Sequence, residues 1–362
     1  MDSIASPAAL QGVRVIEMGQ LIAGPFCGKT LGEFGADVIK IEAPETGDPL
    51  RNWRLIKEGT SVWWQVQSRN KRSVALDLRQ KEGQDIARQL IAEADVLVEN
   101  FRPGTLEGWG MSPEELHQLN PGLVMLRISG YGQTGPYRDL PGFGAIGEAM
   151  GGLRHLTGEP GRVPVRVGVS IGDTLAALHG TIGVLTALYH RKVNGGQGQV
   201  IDVALHEAVF NVMESLIPEY SAFGAVREAA GSALPGIAPS NAYPCQDGWV
   251  LVAGNGDSIF KRLMDAIGRP DLGAARVPAG KVYTAKDIAE DPHYRARDML
   301  LTQQTRDGYS VEVPGIVPKL SGTPGSIRRS APHLGDDTDA VLAEMGLNAE
   351  QIALLRSKGV IQ

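Results

Sequence analysis

In the first half of the chain, short apolar runs alternate with helix-length segments, and this alternation restricts the fold more than any other feature. The runs fall at residues 13–18, 37–41, 73–78, 95–98 and 123–128. After the first comes a glycine-bearing loop, then Pro25, then a helical stretch to about Phe34 that Gly35 closes. Pro is tolerated in a first helical turn because its missing N–H would be unpaired there anyway. A second helical stretch, 86–94, precedes the run at 95–98. Strands that alternate with helices imply parallel neighbours joined by crossovers. The predicted fold class is therefore α/β, a doubly wound parallel sheet with both faces covered.

Residues 163–169 read as a further β-like run, and Gly168 permits a sharp turn into a long helix. Leu175, Leu178, Ile182, Leu185 and Leu188 recur at three- and four-residue steps, the period of a helix buried along that face. Asp173 stands where this helix starts. As an N-cap it would accept a hydrogen bond from a first-turn amide. As a reactive carboxylate it would be held by the same amides at the positive end of the helix dipole. Asn194-Gly195-Gly196 ends the helix in a turn. Residues 199–204 then read as a strand, 205–220 as one helix, 235–244 as a polar loop, 249–253 as a strand and 258–267 as a short helix. The elements stay short to about residue 322, as in a smaller second domain, and helical periodicity returns over 338–358.

Composition narrows the function. Of 362 residues, 43% are hydrophobic and 21% charged, the balance of an ordinary globular protein. A net charge of −6 argues against nucleic-acid binding through bulk charge. No apolar run approaches the ~18 residues of a membrane span, so no membrane partner is expected. Residues 1–5 show no basic segment leading into an apolar one, so no secretory signal is read there. With only Cys27 and Cys245, a disulfide framework is not expected and a reducing cytoplasm fits.

Several familiar chemistries lack their residues. Gly19 and Gly24 do not give the G-x-G-x-x-G spacing of a dinucleotide site, although Glu42 ends the second strand where a ribose-binding acid would sit. The histidines show no compact metal spacing, so no metal is expected, and no G-x-S-x-G elbow occurs. Arg69, Lys71 and Arg72 read as a solvated face, or as a cluster steering an anionic ligand. The turn Asn100-Phe101-Arg102-Pro103-Gly104 says more. It follows the run at 95–98, at the strand edge where open α/β sheets bind ligands. Its amide, aromatic face and guanidinium suit an adenine nucleotide with phosphates.

Taken together the motifs resemble one family. The opening Leu10-Gln11-Gly12-Val13-Arg14-Val15-Ile16-Glu17 leads to Ala23-Gly24-Pro25, Leu31-Gly32 and Gly35-Ala36-Asp37-Val38-Ile39-Lys40-Ile41-Glu42. Asn70-Lys71-Arg72-Ser73, Val98-Glu99-Asn100-Phe101-Arg102-Pro103-Gly104, Gly130-Tyr131-Gly132-Gln133-Thr134-Gly135-Pro136, Leu334-Gly335 and Gly359-Val360 follow in order. The chain resembles the class III CoA-transferases, which include formyl-CoA and carnitine CoA-transferases and succinyl-CoA-dependent dicarboxylate transferases. The resemblance implies a large Rossmann-like domain with a smaller α+β domain, in a homodimer of two interlocked rings. Domain boundaries are expected at 1–205 for the large CoA-binding domain, 206–322 for the linker and small domain, and 323–362 for a helical segment returning to the large domain.

By resemblance, Asp173 is the nucleophile, carrying acyl and CoA groups in turn. The CoA-binding positions fall on Ile22 and Ala23, on Leu76, Asp77, Leu78 and Arg79, and on Asn100, Phe101 and Arg102. Acyl-CoA and a small carboxylic acid would be the substrates, with no tightly bound cofactor. Gln20, Ile22, Phe143 and Gly144 stand where formyl-CoA transferase has His, Gln, Tyr and Glu, and its active-site glycine run has no counterpart at 235–244. The expected substrates are therefore not formate or oxalate but succinyl-CoA and a dicarboxylate or hydroxy acid. An α-methylacyl-CoA racemase is the alternative on the same fold. It needs a base at the α-carbon, and Phe143 stands where the family places His. An inactive CoA-binding relative is the third reading, motivated by a stretch after Leu272 shorter than in relatives.

Overall fold

The computed structural model describes residues 8–236, 239–254, 257–266 and 279–362. They fall into two compact units, one made of Met1–Gly151, Ser170–Val212 and Met299–Gln362, the other of Gly152–Val169 and Met213–Asp298. The stretch after Leu272 lies outside the described residues.

The first unit is built on parallel strands β1 (Arg14–Glu17), β2 (Asp37–Glu42), β3 (Lys71–Ala75), β4 (Val96–Glu99), β5 (Val124–Ser129) and β6 (Val200–Ala204). Their order is β3-β2-β1-β4-β5-β6. Helices α1 (Ala23–Glu33), α2 (Lys81–Ala92), α3 (Gly144–Met150), α4 (Ile171–Val193) and α5 (Leu205–Phe210) belong to the same unit. Successive strand residues point to opposite faces. Val15, Val38, Val96 and Val124 accordingly pack with Cys27 and Leu31 of α1 and Ala176 and Val184 of α4. Their neighbours Ile16, Ile39, Leu97 and Met125 pack with Ile86 and Leu90 of α2 and with Val341, Leu342 and Ile352 of the C-terminal helices. Each such burial contributes about 1.5–3 kcal/mol, and a sheet covered on both sides requires near-continuous apolar strands. The α/β architecture with a parallel sheet is as the alternation predicts.

The long helix α4 differs from its predicted orientation. Only the ends of the leucine stripe, Leu175 and Leu188, pack half-buried against the core; Leu178, Ile182 and Leu185 are exposed, while Ala176, Ala177, Gly180, Thr181, Val184 and Ala187 are buried. Close approach to the sheet explains this, since a Cβ on Gly180 would lie 2.7 Å from Leu126 and one on Gly183 2.8 Å from Ile201. A 3.6-residue period is shared by both faces, so periodicity alone could not choose between them. By length and composition α4 is also long and apolar enough to cross a membrane.

Other elements shift for local reasons. Residues 163–169 form no strand, and Val163, Val165, Val167 and Val169 are all exposed. The helix expected over 205–220 breaks after Phe210 and resumes at Leu216–Phe223, with Glu214 in the left-handed region at φ 51°. The polar stretch 235–244 contains a strand, Ser240–Cys245, paired antiparallel with Gly248–Ala253 across a two-residue turn. The C-terminal helix is two, Thr338–Glu344 and Ala349–Ser357, separated at Gly346 (φ 90°) and restarted by a capping box at Asn348. The basic cluster is not a solvated face. Arg69 pairs with Glu33 and Lys71 with Glu17 inside the protein, and Arg72 is taken by Asp37 and Glu344.

Candidate active site

The strand order reverses between β1 and β4, and open α/β sheets bind ligands in the crevice at that point, outside the carboxyl ends of the strands. Here the crevice lies between the β1–α1 loop and the turn after β4. A cleft of about 190 Å³ occupies it, lined by Gln20, Leu21, Ile22, Ala23, Asn100, Phe101, Arg102, Pro103, Arg138, Phe143 and Asp173 among others. A second cleft of about 320 Å³ shares Gln20 and Phe101 and runs over Ile41–Thr46, Leu76–Arg79 and Trp109. Every candidate site residue therefore lines one of two clefts separated by Phe101 and Gln20.

Asn100 ties the two sides of the crevice together. Its Oδ1 accepts from the Gln20 N–H at 2.7 Å, and its Nδ2 donates to the Gln20 carbonyl at 2.9 Å. The loop can bend this tightly because Gly19 and Gly24 meet. A Cβ on Gly19 would lie 3.0 Å from the Gly24 Cα and 3.2 Å from Asn100 Oδ1. These glycines thus serve loop closure, not a dinucleotide fingerprint. Leu21 adopts φ 63°, an uncommon conformation for a residue with a Cβ, and its N–H is held by the buried Asp48 carboxylate at 3.1 Å. Beneath the loop, Lys40 donates to the Gly19 carbonyl at 2.7 Å and Lys71 to the Pro25 carbonyl at 2.8 Å. Both lysines also pair with Glu17, the last residue of β1. Burial lowers the Lys71 pKa to about 8 against the pull of Glu17. Lys40 is raised, because Asp48, Glu17 and Glu42 outweigh its burial.

The turn after β4 places Asn100 half-buried, Phe101 edge-on to Trp109 at 5.3 Å and Arg102 exposed at the cleft mouth. On the second cleft, Leu76 and Asp77 are buried and Leu78 half-buried. Arg79 lies at the solvent edge, where its Nε and Nη2 donate to Asp77 at 2.8 and 3.1 Å. Those bonds hold the Asp77 carboxyl down at about 2.

Asp173 is not the helix cap. Ser170 occupies that position and Asp173 is the third residue of α4, half-buried in its first turn. A carboxylate there still gains from the helix dipole. It also lies against the start of α3, where a Cβ on Gly144 would sit 2.1 Å from Asp173 Oδ2. Gly144 thus vacates the space that the carboxylate fills. Gly172 keeps the two helices close, its own Cβ position being 3.0 Å from the Gly144 carbonyl. The carboxylate faces the cleft holding Ile22, Ala23, Asn100, Phe101 and Arg102. An accessible carboxylate beside an amide, two guanidinium groups and apolar walls can attack an electrophilic carbonyl of an anionic ligand. Sequence reasoning missed Arg138 on the wall and Gly144 as a space-giver, for neither carries a spacing signal.

Fold and cleft define an α/β protein with a cleft at the switch point of a parallel sheet. The sequence profile of CoA-transferase family III matches residues 10–275 and 272–338, and the chain belongs to that family. It is 45% identical to the succinyl-CoA–D-citramalate CoA-transferase of Chloroflexus aurantiacus, over 100% of both chains. It is 42% identical, again over 100% of both, to the beta subunit of succinyl-CoA–L-malate CoA-transferase from the same organism. Among solved structures it resembles a CAIB/BAIF family protein from Brucella suis, with a TM-score of 0.84 and 31% identity over 94% of this chain and 100% of that one. The protein is therefore an enzyme, a CoA-transferase.

Proposed function

We propose that the protein moves CoA from succinyl-CoA, or a closely similar donor, to a dicarboxylate or hydroxy acid, with Asp173 as covalent carrier. The observation that carries this reading is the Asp173 carboxylate lining the switch-point cleft with Ile22, Ala23, Asn100, Phe101 and Arg102. The relatives named for succinyl-CoA with D-citramalate or L-malate supply the substrate class.

In the reaction, an Asp173 oxygen attacks the donor thioester carbonyl, the C–S bond breaks and CoA thiolate leaves an aspartyl–acyl anhydride. The thiolate attacks the Asp173 acyl carbon, freeing the donor carboxylate and forming an aspartyl-CoA thioester. The acceptor carboxylate then displaces the thiolate at that carbon, giving a second anhydride. Thiolate attack on the acceptor carbonyl releases the new acyl-CoA and restores Asp173. The thioester's reactivity is thus kept in an activated carboxyl, provided water is excluded. Leu76–Arg79 and Arg102 would hold the CoA portion, with Arg79 and Arg102 as charge-assisted donors to phosphate. Phe143, exposed on the cleft wall, carries no proton and so does not serve racemisation.

The active form is proposed to be an interlocked homodimer, working in the cytoplasm. The exposed stripe Leu178, Ile182, Leu185 and Tyr189 of α4 supports it, as do the exposed valines of 163–169, since such surfaces usually mark interaction sites.

The test is to quench turnover with succinyl-CoA and read the Asp173 peptide by mass spectrometry. A CoA adduct on Asp173, absent from Asp173→Ala, is expected, with the variant still binding CoA. Transfer by Asp173→Ala would sink the mechanism. Deuterium exchange at the α-carbon of a 2-methylacyl-CoA without transfer would instead indicate a racemase.

A further inference from the structure

The turn Asn100–Gly104 is flanked by two glutamates that share one cation. Arg127, on the neighbouring strand β5 and only 4% exposed, donates from Nε to Glu99 Oε1 at 2.7 Å. Its Nη1 and Nη2 donate to Glu107 Oε1 and Oε2 at 2.8 and 3.2 Å. Glu99 precedes the turn and Glu107 follows it, so one guanidinium fixes both ends. The second Glu99 oxygen accepts the Phe101 N–H at 2.7 Å, inside the turn itself. Arg127 and Glu99 line neither cleft.

We propose that Arg127 is a positioning residue for acyl-CoA, acting through Glu99 and Glu107 to set the Asn100–Arg102 turn. This rests on the reading that the turn binds CoA. The planar fork of Arg matches a carboxylate at two points, so a single guanidinium orients Glu107 with two bonds and Glu99 with a third. Lys carries its three donors on one nitrogen and lacks the planar fork that lets separate nitrogens reach both carboxylates. The charged groups facing Glu99 are Arg127 from β5 and Glu107 from the following helical turn. Burial raises the Glu99 carboxyl to about 7, and Arg127 pulls it back. When Glu99 takes a proton it becomes a poorer acceptor, and the Phe101 N–H is held less firmly. Weakening the Arg127 partner therefore extends the protonated range upward in pH.

The experiment compares wild type with Arg127→Lys, Glu107→Gln and Phe101→Ala, measuring kcat and KM for succinyl-CoA from pH 5.5 to 9. Circular dichroism confirms that each variant is folded. Arg127→Lys should raise KM for succinyl-CoA about tenfold with kcat nearly unchanged, the pattern of lost uniform binding. It should also move the acid limb of kcat/KM to higher pH. Glu107→Gln should raise KM more mildly and move that limb to lower pH, because the Glu107 charge helps raise Glu99, and it covers the case in which Arg127→Lys does not fold. A rise in KM for Phe101→Ala, with neither Arg127→Lys nor Glu107→Gln moving KM or the acid limb, would overturn the positioning role and leave the CoA reading intact. If Phe101→Ala also left KM unchanged, the CoA reading of the turn would fall, and the inference with it.

Discussion

At the residue scale, the site depends as much on missing atoms as on functional groups. Gly144 is the sharpest case, because any side chain there occupies the position of the Asp173 carboxylate. Gly144→Ala should lower kcat about a hundredfold while leaving the melting temperature within a few degrees, since misplacing a reacting group by ~1 Å has that effect. Steady-state kinetics beside a thermal melt decides it; unaltered kcat would mean that Asp173 reacts from another position. The two cysteines give a second contrast. Cys27 is fully buried, and burial pushes its thiol up to about 12, whereas Cys245 is exposed. A thiol reagent at neutral pH should modify Cys245 quickly and Cys27 only on unfolding, because reactivity follows thiolate content and access. Stoichiometric fast labelling of both would contradict this packing.

At the element scale, strand ends carry buried charges that set the loops above them. Glu99 ends β4 with its carboxyl raised from 4.5 to about 7, chiefly by burial and despite Arg127. Between those two values the folded chain binds more proton than the unfolded chain. Its contribution to stability is therefore fully present below about pH 4.5 and lost as pH rises through 7. Glu99→Gln should remove that slope, at most about 3 kcal/mol by the unit conversion of a pKa shift. Urea unfolding across pH 4.5–7.5 reads it directly, and parallel slopes in both proteins would refute the assignment. Helix α2 offers a packing test. A Cβ on Gly83 would lie 2.1 Å from the Asp77 carbonyl, so the helix start and the 76–79 loop meet through a glycine. Gly83→Ala gains about 1 kcal/mol of helix propensity. The collision should nonetheless leave the variant less stable, since overpacking costs about 1–3 kcal/mol and this obstacle is backbone. A variant more stable than wild type would show that the loop gives way freely.

At the scale of the whole molecule, the outer face of α4 is an exposed apolar stripe. Ile182 is 63% exposed and Tyr189 70%, on a helix whose inner face is small residues. If a second copy covers this stripe, sedimentation should show a dimer, and Ile182→Glu should shift it toward monomer. A wild-type monomer at micromolar concentration would remove the dimer from the proposal.

The sequence by itself determined the alternating strands, the parallel sheet they imply and the turn at Asn100–Gly104. Apolar runs of strand length separated by helix-length segments leave few other ways to bury a core. The family resemblance was likewise legible, in short motifs that run from Leu10 to Val360. What only the tertiary structure decided was orientation and pairing. Periodicity placed α4 but could not say which face turns inward, because that depends on how closely Gly180 and Gly183 let the sheet approach. Charge made Arg69 and Lys71 look solvated, because their partners Glu33 and Glu17 are far away in the chain and meet them only across the fold. Asp173 could be read as a cap or a reactive group, and the fold places it three residues past the cap and sets it against Gly144. Local pattern set what the segments of the sheet become, though not at 163–169 or at Ser240–Cys245; contacts between distant segments, which no local pattern records, fix what side chains face.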